Sequence, residues 1–456
     1  MIEFCYLIGV VHFAFLMGSI VQTRLLSVQY STTLIDLTQR MFLGLFIFIF
    51  LNFIYLEYLS IYLNLPWFYG LKIIFSLYAL ILSIIYLKRR KGFKSFSKGL
   101  TNPLSSFSRS EKLAILLIVV IWIIVSFMYV YENDALEYIG IAQILQLNDS
   151  LDDYPPIETS WLKSLYAPST HPPYFHIFLA LFIPGSENLV VLRFLLIGMF
   201  VGMTIVLLDR RQYKYGVLII CTVPLIVFGI QGLSVEIFRL PFFASGLVLF
   251  LYSKPLTKDF KQYFRYIFAL AMMVATHSLG LLMGILVLFV TFLVMRDFRK
   301  LLLSLIALIS SIVFVAPQYI ANTIRFGTPV QDSSPILDLT QIAFFEDLKI
   351  RRQISTLSQV LVNGSFRPMI DFSLFGFTFA IGTLLSFIFV FKNFKCLQKT
   401  PLVSISALLV IVFTLLQFFS SIAGIELLIK NVRYALSIFP CILVVIANRL
   451  KQRLHE

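Results

Sequence analysis

The stretch 132–173 carries the side chains best suited to chemistry. It is the longest polar segment of a mostly apolar chain, and it holds seven carboxylates against one basic residue, Lys163. Asp134 and Glu137 stand three residues apart, which places both carboxylates on one face of a helix. Carboxylate oxygens are also the ligands that Mg²⁺ and Mn²⁺ prefer, and Asp134 with Asp152 or Asp153 could bind such an ion. This stretch is therefore the first candidate for an active site.

Each of these motifs also has a structural explanation. An aspartate at a helix N-cap with a glutamate three residues later is a capping box, so Asp134 and Glu137 could serve only to start a helix. The pair Asp152-Asp153 precedes Tyr-Pro-Pro and favours a solvated turn. The two prolines after His171 are typical of a first helical turn, and an interfacial histidine is commonly a hydrogen-bonding anchor.

A second group of candidates consists of basic residues near the predicted outer ends of apolar segments. One interpretation is that these side chains snorkel to the membrane surface, and the other is that they bind an anionic headgroup, since arginine grips phosphate with two hydrogen bonds. Glu236 and His277 lie near predicted turns or helix breaks, where an ionisable group marks a site. The basic residues in question are Arg193, Arg239, Arg325, Lys430 and Arg433.

Composition fixes the class of protein that must position these residues. Of the 456 residues 59% are hydrophobic and 13% are charged, and the mean hydropathy is +0.90. Soluble chains are about 45–50% apolar and about 25% charged, so the sequence predicts an all-α polytopic membrane protein. The net charge of +14 follows from basic cytoplasmic loops and does not indicate a nucleic-acid partner. The four scattered cysteines are predicted to be core residues without a metal or disulfide role.

Alternation of basic and acidic loops predicts the topology. The strongly basic loop 88–112 and the later basic segments 209–215, 254–265, 296–300, 392–399 and 449–456 are assigned to the cytoplasmic side. The segments 132–173, 185–193, 231–236, 322–370 and 423–433 are then external. This pattern requires a helix break near Thr276-His277 and a re-entrant or surface helix over 173–184. It gives about 13 transmembrane helices (11–14 allowed), with the N-terminus outside.

The predicted organisation has four parts. Residues 1–87 form a three-helix membrane segment whose first apolar run is a span and not a cleaved signal. The basic loop 88–112 follows, then a catalytic membrane unit over 113–447 and a basic tail over 448–456. The external loop 132–173 is expected to contain amphipathic juxtamembrane helices. One of them covers 134–147, with Ala135, Tyr138, Ala142 and Leu145 along its apolar stripe.

Six segments in this order resemble the GT-C superfamily, the polytopic glycosyltransferases that use polyprenyl-phosphate sugars. They are ALEYIGIAQIL after Asp134, HPPYFHIFLALFIPGSENLVVLRFL, QGLSVEIFRLPFFASGLVLFLY, ATHSLGLLMGI, NTIRFGTPV and NVRYALSIFP. The protein O-mannosyltransferase and lipid A aminoarabinose transferase types are the most similar, over roughly residues 113 to 445. The resemblance implies a GT-C-like fold and an inverting glycosyl transfer on the periplasmic or extracellular face of the plasma membrane.

The resemblance also implies roles for individual residues. Asp134 matches the family's catalytic base, with Glu137 as a second carboxylate, and the Arg-Tyr motif matches Arg433 and Tyr434. The donor is a polyprenyl-phosphate-linked sugar and the acceptor is a glycan, lipid or protein; a metal is not required. The expected phosphate-binding residues are Arg433, Lys430, Arg325 and Arg239. The expected substrate-binding residues are Tyr138, His171, Glu236, His277 and Tyr434.

Two other classes remain open. An O-antigen-type polysaccharide polymerase or ligase has a similar number of spans and would use arginines in one large late loop, such as Arg351, Arg352 and Arg367 in 322–370. A secondary transporter would show paired repeats and broken helices at matching positions. The sequence shows one such break, near 276–279, and no repeat that would pair with it.

Overall fold

The computed structural model describes an all-helical protein. It covers residues 2–26, 33–60, 67–88, 133–148, 173–183, 189–208, 212–252, 260–277, 279–326, 372–422 and 432–453, with 116, 120 and 124 as single positions. Within these ranges all regular structure is helical and no strand occurs. The predicted fold class is confirmed at this level.

The helices are numbered in chain order over the described residues. The first three are α1 (Ile2–Ile20), α2 (Thr33–Ile54) and α3 (Trp67–Lys88), with π-helical extensions of α1 over Val21–Leu26 and of α2 over Tyr55–Leu59. The central ones are α4 (Asn133–Asn148), α5 (Tyr174–Phe182), α6 (Leu189–Leu207), α7 (Tyr213–Cys221), α8 (Pro224–Gln231), α9 (Val235–Tyr252), α10 (Phe260–Val274), α11 (Gly280–Met295), α12 (Phe298–Ser311) and α13 (Ala316–Phe326). The last are α14 (Phe372–Asn393), α15 (Pro401–Ile422) and α16 (Phe439–Arg453), with 3₁₀ turns over Ile312–Phe314, Phe394–Lys399 and Val432–Ile438.

Six described helical segments are long and apolar enough to cross a membrane, and a bent helix pair makes a seventh if it is counted as one span. Their outer surfaces are apolar: on α3, Ile73 and Ile74 are each 60% exposed. The chain is thus compatible with a membrane-embedded protein. The six segments are Cys5–Leu26, Leu34–Leu59, Trp67–Ile85, Leu189–Leu207, Phe375–Lys399 and Ala435–Gln452.

Several helix boundaries agree with the sequence-based predictions, and one does not. The break at 275–279 separates α10 from α11, α5 begins directly after Pro173, and α4 spans the predicted 134–147. The apolar run over about 41–63 predicts the second span, but α2 begins earlier, at Thr33. Asp36 forms an ion pair of 2.6 Å with Arg40 one turn later, so both charges are compensated and the helix extends beyond its apolar run.

Close contacts between small residues join α1 to α2. A Cβ on Gly18 would lie 1.7 Å from the Arg40 carbonyl oxygen, and one on Gly44 would lie 1.7 Å from the Ala14 carbonyl oxygen. Only glycine allows the two backbones to approach so closely, which is how helices associate when lipid surrounds them. Further along, the Gln39 amide and the Ser245 hydroxyl hydrogen-bond across α2 and α9 at 2.5 Å, so α2 also packs against the central helices.

The short helix α5 lies at the centre of the packing. All nine of its residues are buried, and its length of about 14 Å is less than half the thickness of the hydrocarbon layer. This length agrees with the prediction that the segment is not a full span, and its burial disfavours the surface helix that was one of the two options. Gln146 donates to the carbonyls of Ala180 and Ile183 at 2.6 and 2.8 Å, and Tyr6 to that of Leu181 at 2.9 Å. These bonds satisfy carbonyl groups that a helix end leaves open.

Loops that were assigned to the same side of the membrane lie at the same end of α16. Before this helix, Ser437 accepts a hydrogen bond from Arg239, beside the predicted external turn 231–236. Near its C-terminal end, the Ala447 carbonyl accepts one from Gln212, next to the basic segment 209–215. The packing therefore agrees with the alternation of loops derived from charge.

The cysteines differ in their surroundings. Cys441 is buried in α16, as predicted for a core residue, whereas Cys396 is exposed on the 3₁₀ turn between α14 and α15. The prediction that all four fill the core is wrong for Cys396. This cysteine lies on a turn that follows the end of an apolar helix, and Lys395 and Lys399 of the same turn are exposed as well.

Candidate functional site

The candidate site forms at a break in an apolar helix. Helices α8 and α9 are separated by three residues and bend by 111°. The chain turns because Leu233 adopts a left-handed conformation with φ of 54°, and the Ser234 amide reaches back to the Gly229 carbonyl at 2.9 Å. This six-residue bond is that of a Schellman motif, in which glycine usually occupies the left-handed position. A left-handed leucine is strained, and the burial of its side chain offsets this conformational cost.

Charged and polar side chains surround this break and are nearly excluded from solvent. We call them the buried charged cluster; Arg239 and Glu236 are each 4% exposed and Arg193 is 6% exposed. Its members are Arg193, Gln231, Ser234, Glu236, Arg239 and Ser437.

Hydrogen bonds hold the cluster together across four elements. Arg193 of α6 donates through Nε to the Gln231 carbonyl at 3.0 Å, which caps the C-terminal end of α8. The Ser234 hydroxyl donates to Glu236 Oε2 at 2.5 Å. Arg239 donates through Nη2 to the Ser437 hydroxyl, which belongs to the 3₁₀ turn before α16.

The cluster suits an anion for two reasons. Its two arginines and one glutamate leave one formal positive charge in excess. Arg193 lies in the second turn of α6, Glu236 in the first turn of α9, and Ser437 just before α16, so the N-terminal ends of three helices meet here. Helix N-termini carry a partial positive charge and unsatisfied amide groups.

The contact between Arg239 and Ser437 brings two predicted elements together. Arg433 and Tyr434 lie on the same 3₁₀ turn as Ser437, and at about 2 Å rise per residue Arg433 is roughly 8 Å along its axis. The side chains of Arg433 and Tyr434 lie outside the described part of the structure. What the fold contributes is the position of their backbone, next to α9.

Aromatic contacts connect the acidic helix α4 to the same region. The Tyr138 ring meets Phe175 edge to face at a centroid distance of 5.4 Å and His176 at 5.3 Å. Phe175 in turn contacts Phe238 of α9 at 5.2 Å. Asp134 is one helical turn before Tyr138, because α4 begins at Asn133. The helix that carries the predicted base therefore packs within one aromatic side chain of α9.

The predicted apolar stripe of α4 is confirmed where its side chains are described. Ala142 and Leu145 are fully buried and Tyr138 is half-buried, while Leu147 on another face is 79% exposed. The stripe packs onto α5 inside the protein. It therefore orients α4, and with it the face that holds Asp134 and Glu137.

His277 occupies a different break and has a local bonding role. It lies between α10 and α11 and is 1% exposed. Its Nδ1 accepts the amide of Leu279 at 3.0 Å, and its carbonyl accepts the amide of Gly280 at 2.9 Å. This bond closes the turn that precedes α11, whose N-cap residue is Leu279.

The arginines correct one interpretation. Arg193 and Arg239 were candidates for snorkelling anchors, but both guanidinium groups lie inside the helix packing and hydrogen-bond to protein groups. Snorkelling is wrong for these two residues. Arg325 belongs to α13, and the structure describes only its backbone.

Other predicted residues fall outside the described part of the structure. This holds for the whole of His171, Lys430, Asp152 and Asp153, and for the side chains of Asp134, Glu137 and Arg325. Among the described residues, no group of three histidine, cysteine or acidic side chains could hold a metal ion.

Sequence reasoning missed several members of the cluster. Arg193 was named as either a snorkelling cation or a headgroup-binding one, but its burial was not predicted, although an arginine four residues into the apolar run LVVLRFLL was a usable signal. Gln231, Ser234 and Ser437 have no such signal, because a single neutral polar residue at a turn is ordinary in any membrane protein.

Over the described residues, fold and site together define a helical protein with helices long and apolar enough to span a membrane and a buried, positively charged cluster at a helix break. Searches of protein-family models, of curated proteins and of solved structures find no match to this chain.

Proposed function

We propose that the protein is an integral membrane inverting glycosyltransferase with about 13 transmembrane helices and a GT-C-like fold. It transfers a sugar from a polyprenyl-phosphate donor to a glycan, lipid or protein acceptor of the cell envelope, on the outer face of the plasma membrane. The observation that carries this proposal is the burial of two arginines, with one glutamate beside them among the described residues, where three helix N-termini lie. A buried cation without purpose is costly in a membrane protein, and phosphate is the anion that a lipid-linked donor brings.

The proposed reaction needs a base and a stabilised leaving group. Asp134 accepts the proton of an acceptor hydroxyl. At the same time the hydroxyl oxygen of the acceptor forms a bond to the anomeric carbon of the donor sugar. The bond from that carbon to the phosphate oxygen breaks on the opposite side, and polyprenyl phosphate leaves with the electron pair. General-base assistance contributes about 10²–10⁴-fold.

The leaving phosphate is proposed to bind at the buried charged cluster. Arg239 is the cation that contacts the turn carrying Arg433 and Tyr434. Arg433 and Lys430 would complete the phosphate site, and Arg325 is an alternative phosphate-binding residue. Preorganised donors aimed at a developing charge are commonly the largest single contribution to such a rate. Glu236, Tyr138, His171 and Tyr434 remain the proposed substrate-binding set, whereas His277 is withdrawn from it because its Nδ1 accepts the Leu279 amide within its own turn.

The test compares lipids from cells that lack the protein with lipids from complemented cells. Loss of the transferase should lead to accumulation of a polyprenyl monophosphate that carries a sugar or glycan. Wild-type protein should remove the accumulated lipid, and Asp134→Asn should fail to do so. Arg351→Ala is the matched control, because it should restore activity in a transferase and abolish it in an O-antigen-type polymerase or ligase.

A secondary transporter is the second candidate. It is favoured by the 111° break between α8 and α9 with ionisable groups beside it, since transporters bind their substrates at interrupted helices. Uptake of a solute into vesicles by the purified protein, with no sugar released from lipid, would support this candidate and exclude both enzymes.

A further inference from the structure

A cationic surface lies where α14 ends and α15 begins. Most of α14 belongs to a helical segment long and apolar enough to cross a membrane, so the 3₁₀ turn after it lies at the level of the lipid headgroups. Leu397 of this turn is buried, and its carbonyl oxygen accepts the Ser404 hydroxyl at 2.7 Å. The turn is therefore fixed to α15, while its remaining side chains are exposed.

Phenylalanines and lysines alternate in pairs along this exposed stretch. Phe391 is 89% exposed and Phe394 is 66% exposed, and Lys392 and Lys395 are exposed as well. Residues three apart lie on the same side of a helical segment, so the two rings form one stripe and the two lysines form the stripe beside it. This arrangement is typical of segments in a membrane interface, where apolar rings enter the hydrocarbon and ammonium groups stay among the headgroups.

The last turns of α16 end beside this stretch. The rings of Phe379 and Phe439 stack at a centroid distance of 6.2 Å, and a Cβ on Gly382 would lie 2.4 Å from Cγ2 of Ile442. From the first contact to the second both helices advance by the same number of residues, so α14 and α16 run parallel in a fixed register. The same offset separates the last residues of the two helices, which therefore end at the same level.

The charges at these helix ends are almost all positive. The chain holds no aspartate or glutamate from 372 to 425 or from 427 to 455, so neither segment supplies a carboxylate here. Helix α11 also contacts the turn, and the two charges that follow it, Arg296 and Asp297, cancel. Five exposed or half-exposed cations remain, namely Lys392, Lys395, Lys399, Arg449 and Lys451.

We infer that this surface, which consists of the five cations with Phe391 and Phe394, binds the headgroup of an anionic phospholipid. Clusters of about four to eight basic residues beside a membrane span attract such headgroups. The phosphate accepts charge-assisted hydrogen bonds from the cations, and the acyl chains of the same lipid cover the two rings. A soluble anion would match the charge but would leave both rings in water. The site lies at the predicted cytoplasmic end of α14 and does not depend on the proposed glycosyl transfer.

Native mass spectrometry of the purified, delipidated full-length protein tests the inference. Phosphatidylglycerol should bind about tenfold or more tightly than phosphatidylcholine with the same acyl chains. Lys392→Gln with Lys395→Gln should weaken the binding of phosphatidylglycerol about 25-fold, since each basic residue near an anionic lipid surface contributes about fivefold. Phe391→Ala with Phe394→Ala should weaken it about tenfold with the charge unchanged, because the acyl chains lose their apolar contact.

Arg24→Gln with Lys261→Gln is the matched control. It removes the same charge at exposed positions of α1 and α10, on the same predicted face of the membrane, and it should retain the preference for phosphatidylglycerol. All the substituted side chains are exposed, so the variants should fold. An equal loss in the control, no preference between the two lipids in the wild-type protein, or full competition by glycerol phosphate at the concentration of the lipid would overturn the inference.

Discussion

Two breaks in apolar helices of the described structure differ in what surrounds them. Between α8 and α9 the turn is bordered by Arg193, Glu236 and Arg239, and contacts arrive from α6 and from the turn before α16. Between α10 and α11 the hydrogen bonds are local. His277 accepts the amides of Leu279 and Gly280, which follow it directly in the chain. Both breaks contain an ionisable side chain that is almost fully buried.

This difference shows that an interrupted helix is not sufficient for a site. At 275–279 the Nδ1 of the buried histidine accepts an amide of its own turn, so this part of the break is closed locally. At 232–234 the charged groups also serve more than the turn, because Arg239 bonds to Ser437 in the 3₁₀ turn before α16. Charge drawn from distant parts of the chain is what makes the first break a candidate for binding a ligand.

The largest expected effect comes from removing the cluster's arginine. Arg239→Met should reduce glycan transfer by about 10²–10³-fold, because the leaving phosphate loses a preorganised donor. His277→Asn should reduce it less than tenfold, since the asparagine oxygen can still accept the Leu279 amide. The measurement is the amount of donor lipid that accumulates in complemented cells. Equal losses in the two variants, with both proteins present at normal levels, would mean that the distinction between the breaks is wrong.

A smaller effect concerns the stability of the protein. Here the break between α10 and α11 should be the more sensitive of the two. A Cβ on Gly280 would lie 2.4 Å from the Val274 carbonyl oxygen, whereas one on Gly229 would lie 2.4 Å from Cγ1 of Ile237. Backbone cannot move aside as a side chain can. Gly280→Ala should therefore destabilise the protein by about 3 kcal/mol and Gly229→Ala by about 1 kcal/mol. Apparent Tm values of the purified variants check the order, and a larger loss for Gly229→Ala would contradict it.

The smallest effect concerns the left-handed residues. Leu233 in the first break and Arg296 after α11 share a φ of 54°, but Leu233 is buried and Arg296 is exposed. Arg296→Gly should stabilise the protein by about 0.5–1 kcal/mol, because glycine adopts this conformation without strain. Leu233→Gly gains the same relief but loses a buried side chain, and should destabilise by roughly 1–3 kcal/mol. Opposite signs in thermal unfolding are the expected result.

The sequence predicted local features well. The start of α5 after Pro173, the break at 276–277 and the extent of α4 all depend on residues within a few positions of the feature. The start of α2 was placed too late, because the ion pair between Asp36 and Arg40 lets a helix continue through charged residues. Such pairs are local too, and the spacing of the two residues was visible.

The candidate site was predictable only in part. Glu236 and Arg239 were identified because an ionisable residue inside an apolar run is unusual. Ser437 was not, since its role depends on a contact with a residue 198 positions away in the chain. The roles of Asp134 and Arg433 rest on resemblance to a family and on the experiments proposed above.

By itself, the sequence determined that this protein is helical, apolar on the outside and divided by breaks at specific residues. Helix formation and membrane compatibility depend on composition and short-range spacing, and these are properties of the chain alone. Only the tertiary structure decided that α5 is enclosed on all sides and that Arg193 and Arg239 are buried instead of reaching the surface. The physical reason is that the environment of a charge depends on which helices pack around it, and no local pattern specifies that.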